Sequence, residues 1–193
     1  LLDPTNFTIA ASGGDISGAT LSGNLGSGDV TLQADNNIYV NDAVAWSANK
    51  LTLTAGNDIE VNAVMDVTGT AGLKLNVTPS HIKMGIDTTN EVFNGKVNLA
   101  TGTTFEDATG SYTVINSLAA LQTMKNNLSG KYVLGSDIAN IGSWNSYIIG
   151  TSASPFSGIF NGLGHTLSGM TFSGSSNYVG LFGKTYTGAS QAQ

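Results

Sequence analysis

The chain has 193 residues, thirteen acidic and seven basic, for a formal charge of −6, and only 10% of it is charged. All seven bases are lysines and cysteine is absent, which leaves no disulfide and no thiol chemistry. The acidic balance argues against nucleic acid or an anionic membrane as a charge-driven partner, and no apolar run approaches membrane-spanning length.

The chain opens Leu1-Leu2-Asp3-Pro4 with no initiator Met and no signal sequence, and reads as part of a longer protein. A short alternating strand is expected over residues 7–10, then a loop over 12–15. Residues 16–25 (ISGATLSGNL) alternate loosely and are expected to form the coil beneath residues 30–41. Gly26-Ser27-Gly28-Asp29 is a turn. Its Gly-Asp pair does not extend to the Gly-Gly-x-Gly-x-Asp pattern of a calcium-binding roll.

Residues 30–41 (VTLQADNNIYVN) and 51–62 (LTLTAGNDIEVN) then match at seven of twelve positions with an offset of 21. Self-similarity at such a period marks a repeat architecture. Each copy alternates apolar with other residues, the period of a strand, and breaks at Asn36-Asn37 or Asn57-Asp58, which tolerate a tight turn. Strand, turn, strand, wider loop and return describe a coil of a parallel β-helix. One such coil buries too few aliphatic side chains to offset the ordering of its residues, so coils must share ladders and core. The expected interior columns are Leu32, Leu53 and Leu75, with Ile38 over Ile59 and Val40 over Val61. Asn36 over Asn57 and Asn41 over Asn62 are expected to stabilise turns by bonding along the axis.

Beyond the second copy the spacing continues through residues 73–77 and then Val97-Asn98-Leu99, with a looser excursion at Pro79 and residues 81–85. Glu106-Asp107 reads as a solvated edge. Residues 116–130 form the one helical passage expected: Asn116 or Ser117 caps it, Leu118, Leu121 and Leu128 mark one face, and Gly130 ends it. That face is expected to cover an open patch of the core. Thereafter glycine and aromatics dominate. Ile138, Phe160 and Phe182 are spaced by 22, as are Ile148 and Met170, which predicts that the coil resumes. The division expected is 1–110 in coils, 111–135 as strand-helix-strand, and 136–193 in further coils.

Two parts of the chain resemble known families. The opening Leu1-Leu2-Asp3-Pro4-Thr5, continuing through the repeat to VMDVTGTAG, resembles the filamentous-haemagglutinin-like exoproteins of bacterial two-partner secretion. KYVLGSDI, PFSGIFNGLGHTLSGMTFSG and NYVGLFGK resemble the GLUG motif of large surface proteins, carried here by Phe156, Gly158, Phe160, Gly162, Gly164, His165, Gly180, Leu181, Phe182 and Gly183. The resemblance implies an all-β, right-handed parallel β-helix, here with one short helix near the middle. It also implies a secreted adhesin at the bacterial surface, associated with the outer membrane, with an outer-membrane transporter as partner during secretion. A receptor on a host cell or other surface, a glycan among the candidates, is implied as well. The chain lacks the Arg-Gly-Asp tripeptide by which some members engage integrins.

Catalysis is the competing reading, since some β-helices cleave polysaccharides; the stalk of a contact-dependent toxin is a third. A lyase of the pectate type needs arginine, which is absent. At the 21-residue offset Asp35 lies over Gly56, Asp58 over Asn37, Glu60 over Tyr39 and Asp42 over Ala63, so these acids avoid one another. Asp66 and Asp87, 21 apart, are the pair that stacking would bring together. His81 and His165 lack the neighbours of a metal site. No catalytic residue, metal or cofactor is expected. Tyr39, Trp46, Trp144 and Tyr147 are open to two uses, stacking on a sugar or packing in the core. The sequons at Asn6, Asn76 and Asn127 are treated as background in an Asn- and Thr-rich chain.

Overall fold

The structure, a computed structural model, describes residues 4–174 and 178–186 and the backbone of 190–192. Leu1, Leu2 and Asp3 of the opening and Asn177 of NYVGLFGK lie outside the described residues.

The chain is all-β apart from short helices. In order come β1 (Asn6–Ile9), α1 (Gly18–Leu25), β2 (Val30–Ala34), β3 (Asn37–Val40), β4 (Val44–Trp46) and β5 (Lys50–Ala55). Next are β6 (Ile59–Val61), β7 (Val64–Val67), β8 (Gly72–Asn76), β9 (Ile82–Met84), β10 (Ile86–Asp87) and β11 (Val92–Phe93). Then come β12 (Lys96–Leu99), β13 (Thr104–Asp107), β14 (Gly110–Ile115) and α2 (Leu118–Thr123). The last are β15 (Lys131–Leu134), β16 (Gly142–Trp144), β17 (Ile159–Asn161), β18 (Met170–Phe172) and β19 (Ser190–Ala192).

The repeat pairs as its spacing predicts. Leu32 lies beside Leu53 and Leu53 beside Leu75 in parallel strands, and Ile38 lies beside Ile59 and Val40 beside Val61. Leu53, Ile38, Ile59, Val40, Val61 and Leu75 are all buried, while Leu32, on the terminal strand, is half-buried. The loop after each copy of the repeat holds a third strand, too short to stand out as a pattern: β4 pairs with β7 through Val44–Met65 and Trp46–Val67. Among the described residues there are five sheets: β1-β3-β6-β9, β4-β7-β12, the large β2-β5-β8-β13-β14-β15-β17-β19, and the pairs β10-β11 and β16-β18.

The sheets are mixed. β10 and β11 form an antiparallel pair, and so do β13 and β14, joined at Asp107–Gly110. Strands after that hairpin therefore run opposite to those before it in the same large sheet. Before it, the chain leaves β5 for β6 in the first sheet; after it, the chain leaves β15 toward the β4-β7-β12 sheet, where Leu99 N–H donates to Gly135 O at 2.9 Å. The chain thus leaves the large sheet toward opposite sides before and after the hairpin.

Other expectations change. Residues 16–25 are not a coil of strand. Ser17 Oγ accepts from Thr20 N–H and starts α1, whose Leu21 and Leu25, four apart, are buried beside β4. Gly18 is required there, since a Cβ would stand 2.0 Å from Ala43 O. Val97-Asn98-Leu99 does not extend the Leu53–Leu75 column: β12 pairs with β7, and β13 takes the place beside β8 with Phe105 next to Leu73. The 22-residue spacing after residue 136 is not a register. Ile138 bridges Leu167, Ile149 bridges Phe182, and Gly142 lies beside Met170. Glycine and aromatic spacing there marks turns and core filling, with no alternation to fix pairing.

The expected helix is shorter than its pattern. Ser117 Oγ caps Ala120 N–H at 3.1 Å, α2 ends at Thr123, and a 3₁₀ turn over Met124–Asn126 replaces its last turn. Leu121 is fully buried, with Leu118 and Leu128 packed half-buried on the same cluster, so this passage covers core. Buried side chains form two clusters. One runs from Ile9 to Tyr112 with Val133 and Leu163 added; the other gathers Ile115, Leu121, Met124, Tyr132, Leu134, Ile138, Ile141, Ile148, Ile149, Phe156 and Phe160.

Candidate functional site

Outward-facing side chains of the paired strands form polar rows, because parallel pairing sets the same position of each repeat copy beside its neighbour. Asn62 Nδ2 donates to Asn41 Oδ1 at 2.8 Å, the bond the stacking predicts. Asn36 and Asn57 are joined differently: Asn57 N–H reaches Asn36 O at 2.8 Å, while their side-chain amides turn to Asn6 Oδ1 and Asn37 Oδ1. The asparagines are engaged with one another along the turns.

The carboxylates stay apart. Asp66 lies beside Ala45 and Asn98 and accepts from Asn98 Nδ2, whereas Asp87 accepts from Thr89 N–H, Asn90 N–H and Asn90 Nδ2 in the β10–β11 turn. The two do not stack, because the chain departs from the 21-residue offset at the 3₁₀ turn Pro79–His81. The bonds from Asn90 and Thr89 hold Asp87 below the usual carboxylate range. Glu106-Asp107 is no solvated edge. Asp107 is buried and accepts from Tyr112 Oη at 2.6 Å and from Thr109 N–H at 2.6 Å, and burial followed by the Asp107 bond pushes the Tyr112 phenol up. Lys131 Nζ donates to Thr109 O and Oγ1 beside them, so this group is a closed hairpin brace.

The histidines are structural joints. His81 Nδ1 meets Asp58 Oδ1 at 2.7 Å. His165 is more than a turn residue: its ring is buried, Nε2–H donates to Val97 O at 2.9 Å, and Nδ1 lies 3.3 Å from Asp137 Oδ1. Gly164 delivers it with φ of +82°, where a Cβ would stand 2.3 Å from Gly95 O. Asp137 also accepts from Thr166 N–H at 2.8 Å and Lys96 Nζ at 3.0 Å. Partial burial opposes its charge, but Thr166, Lys96 and His165 outweigh that and hold its carboxyl at about 2. A carboxyl lowered on folding stabilises the protein above its free value of 3.8 and loses that contribution as pH falls toward 2. Melting temperatures measured from pH 5 to 2 (about this window) should therefore fall more steeply in the wild type than in Asp137→Asn. Equal slopes would mean the clamp carries no linkage. Among the described residues no three His, Asp or Glu side chains converge on a metal position.

The remaining motif residues are structural. Phe156 is fully buried, with its ring 4.8 Å from Phe182 and 6.4 Å from Tyr132. Phe160 is buried, Leu181 and Phe182 are half-buried, and Gly158 and Gly162 flank β17. Gly180 O, Leu181 O and Gly183 N–H exchange backbone bonds with Ile148 and Ile149. Of the aromatics open to two uses, Trp46 is core at 5% exposure, while Tyr39, Trp144 and Tyr147 are half-buried.

Several clefts lie among these rows, and one sits at the hairpin and helix start. That cleft, about 450 Å³, is walled by the turn at Thr101-Gly102-Thr103, by β13 and β14, and by Asn116, Ser117 and Ala120. A second cleft of about 300 Å³ lies across Thr101 and Asn116, with Thr68, Asn98, Gly135 and Ser136 in its wall. Sequence reasoning missed both, since they exist only where the hairpin and helix start meet the neighbouring strands. No protein-family model, curated protein or solved structure matches this chain.

Proposed function

We propose that residues before the β13–β14 hairpin form a right-handed parallel β-helix, and that the chain serves as a rigid, non-catalytic stalk of a secreted bacterial surface adhesin. The observation that carries this reading is the register Leu32–Leu53–Leu75, a parallel return after 21 and then 22 residues shared by three consecutive coils. Right-handed crossings dominate parallel connections, which supports the sense of winding. After the hairpin the circulation is opposite, so the right-handed part stops there. The resemblance to filamentous-haemagglutinin-like exoproteins supplies the adhesive role, the secretion route through an outer-membrane transporter, and a receptor on a host cell or other surface.

The polar rows fit that role. They offer a repeated surface whose donors and acceptors are mostly engaged with one another, so each contact with a partner is weak and many copies must act together. The test compares monomeric protein with protein displayed in many copies on beads. Adhesion of beads to epithelial cells without measurable monomer binding is the expected result. Release of reducing or unsaturated ends from neutral or acidic polysaccharides, with or without calcium, would replace the stalk with an enzyme.

A further inference from the structure

One sheet stops where its neighbours are carried on. Past β8 the large sheet continues with β13, and past β12 the carbonyls of Gly135 and Leu163 accept from Leu99 and Val97 N–H. Among the described residues nothing continues the sheet β1-β3-β6-β9 beyond β9. Gly85 N–H donates to Val61 O at 2.7 Å, so the parallel pairing aims both backbone groups of Lys83 at β6 and those of Ile82 and Met84 the other way. The 3₁₀ turn takes Ile82 N–H at Pro79 O, which leaves Ile82 O, Met84 N–H and Met84 O facing an open edge. Such an edge is a template for another strand. A cleft of about 280 Å³ lies along it, with Ile82, Lys83, Met84, Ile86 and Phe93 in its walls. Ile86 and Val92, on the β10–β11 hairpin, are each more than half exposed. Lys83 ends the outward column Tyr39-Glu60-Lys83; it is exposed and makes no ion pair among the described residues.

We infer that β9 takes an extended segment of a partner protein, aliphatic-acidic-aliphatic in sequence, as a further parallel strand of its sheet. Every pairing in that sheet is parallel. In the same register the two aliphatic residues lie beside Ile82 and Met84, against Ile86 and Phe93, and the acid between them lies beside Lys83. β9 already takes a segment of this kind on its other edge, where Ile59, Glu60 and Val61 stand beside Ile82, Lys83 and Met84. A second copy of the chain is a poorer occupant, because full two-fold antiparallel overlap of two β9 strands sets Lys83 against Lys83. The inference stands apart from the stalk reading and does not depend on it.

The probe is a synthetic peptide with the sequence of residues 57–63, NDIEVNA, titrated into the whole chain and followed by NMR and amide exchange. Shifts confined to residues 79–86 and 92–93, with slowed exchange at Met84 N–H, are expected. N-methylation of the peptide's glutamate amide, which removes the donor to Ile82 O, should abolish them. Lys83→Glu should weaken binding about fivefold, and lysine in place of the peptide's glutamate should restore it. Ile86→Ser, at an exposed position, should weaken binding by about the same factor and leave the fold intact. No shift at up to about 1 mM peptide, shifts elsewhere on the surface, or equal binding of the N-methylated peptide would overturn the inference. So would the same shifts on concentrating the protein alone, with a dimer in sedimentation, since the edge would then belong to a second copy.

Discussion

Leu53→Asp is expected to abolish folding. Leu53 is fully buried between Leu32 and Leu75, and no base lies within that column to pair a carboxylate. An uncompensated buried charge is worth on the order of 5 kcal/mol, comparable with the whole stability of a marginal domain. Thr52→Asp, one residue away, should be nearly neutral, because Thr52 faces outward beside Lys74. Circular dichroism and urea titration of the two variants distinguish a column from general sensitivity of the strand. Equal effects would contradict the register.

Phe156→Ala should destabilise by about 3–5 kcal/mol through the cavity it leaves. The ring is fully buried against Phe182 and Tyr132 in the second cluster, whereas Leu53 and its neighbours belong to the first. Hydrogen exchange should therefore show lost protection in β15 and β17 while β5 and β6 keep theirs. Uniform loss along the chain would show that the two clusters unfold as one.

The columns around Leu53 are legible in the sequence because alternation and a fixed spacing encode pairing directly. An aliphatic residue repeated at the same place in each copy leaves one register that buries it. Residues 18–25 mislead because four glycine, serine or threonine positions out of the first six conceal the Leu21–Leu25 pair that defines a helical face. β4 and β7 escape notice because three or four residues give almost no periodicity. After residue 136 the connections lengthen to between 28 and 33 residues, as in Lys131–Ile159 and Ile149–Phe182, and side chains there record packing more than position. Asp107 reads wrongly as an exposed acid because its partner is supplied by a hairpin that folds Tyr112 back over it. The larger cleft is illegible for a related reason: its walls come from a turn, a hairpin and a helix start whose meeting no local pattern describes.

The hairpin at Asp107–Gly110 also bears on how the molecule answers force. A solenoid wound in one sense must spin as its coils are peeled away, like thread drawn from a spool. In the proposed winding the circulation changes sense at the hairpin, so peeling from one end would spin the remainder one way and peeling from the other end would spin it the opposite way. Pulled from both ends at once, the chain would pay out with its rotations opposed, and the hairpin would sit where the two torques meet. Lys131, bound to Thr109 across that point, fastens the turn to the next strand.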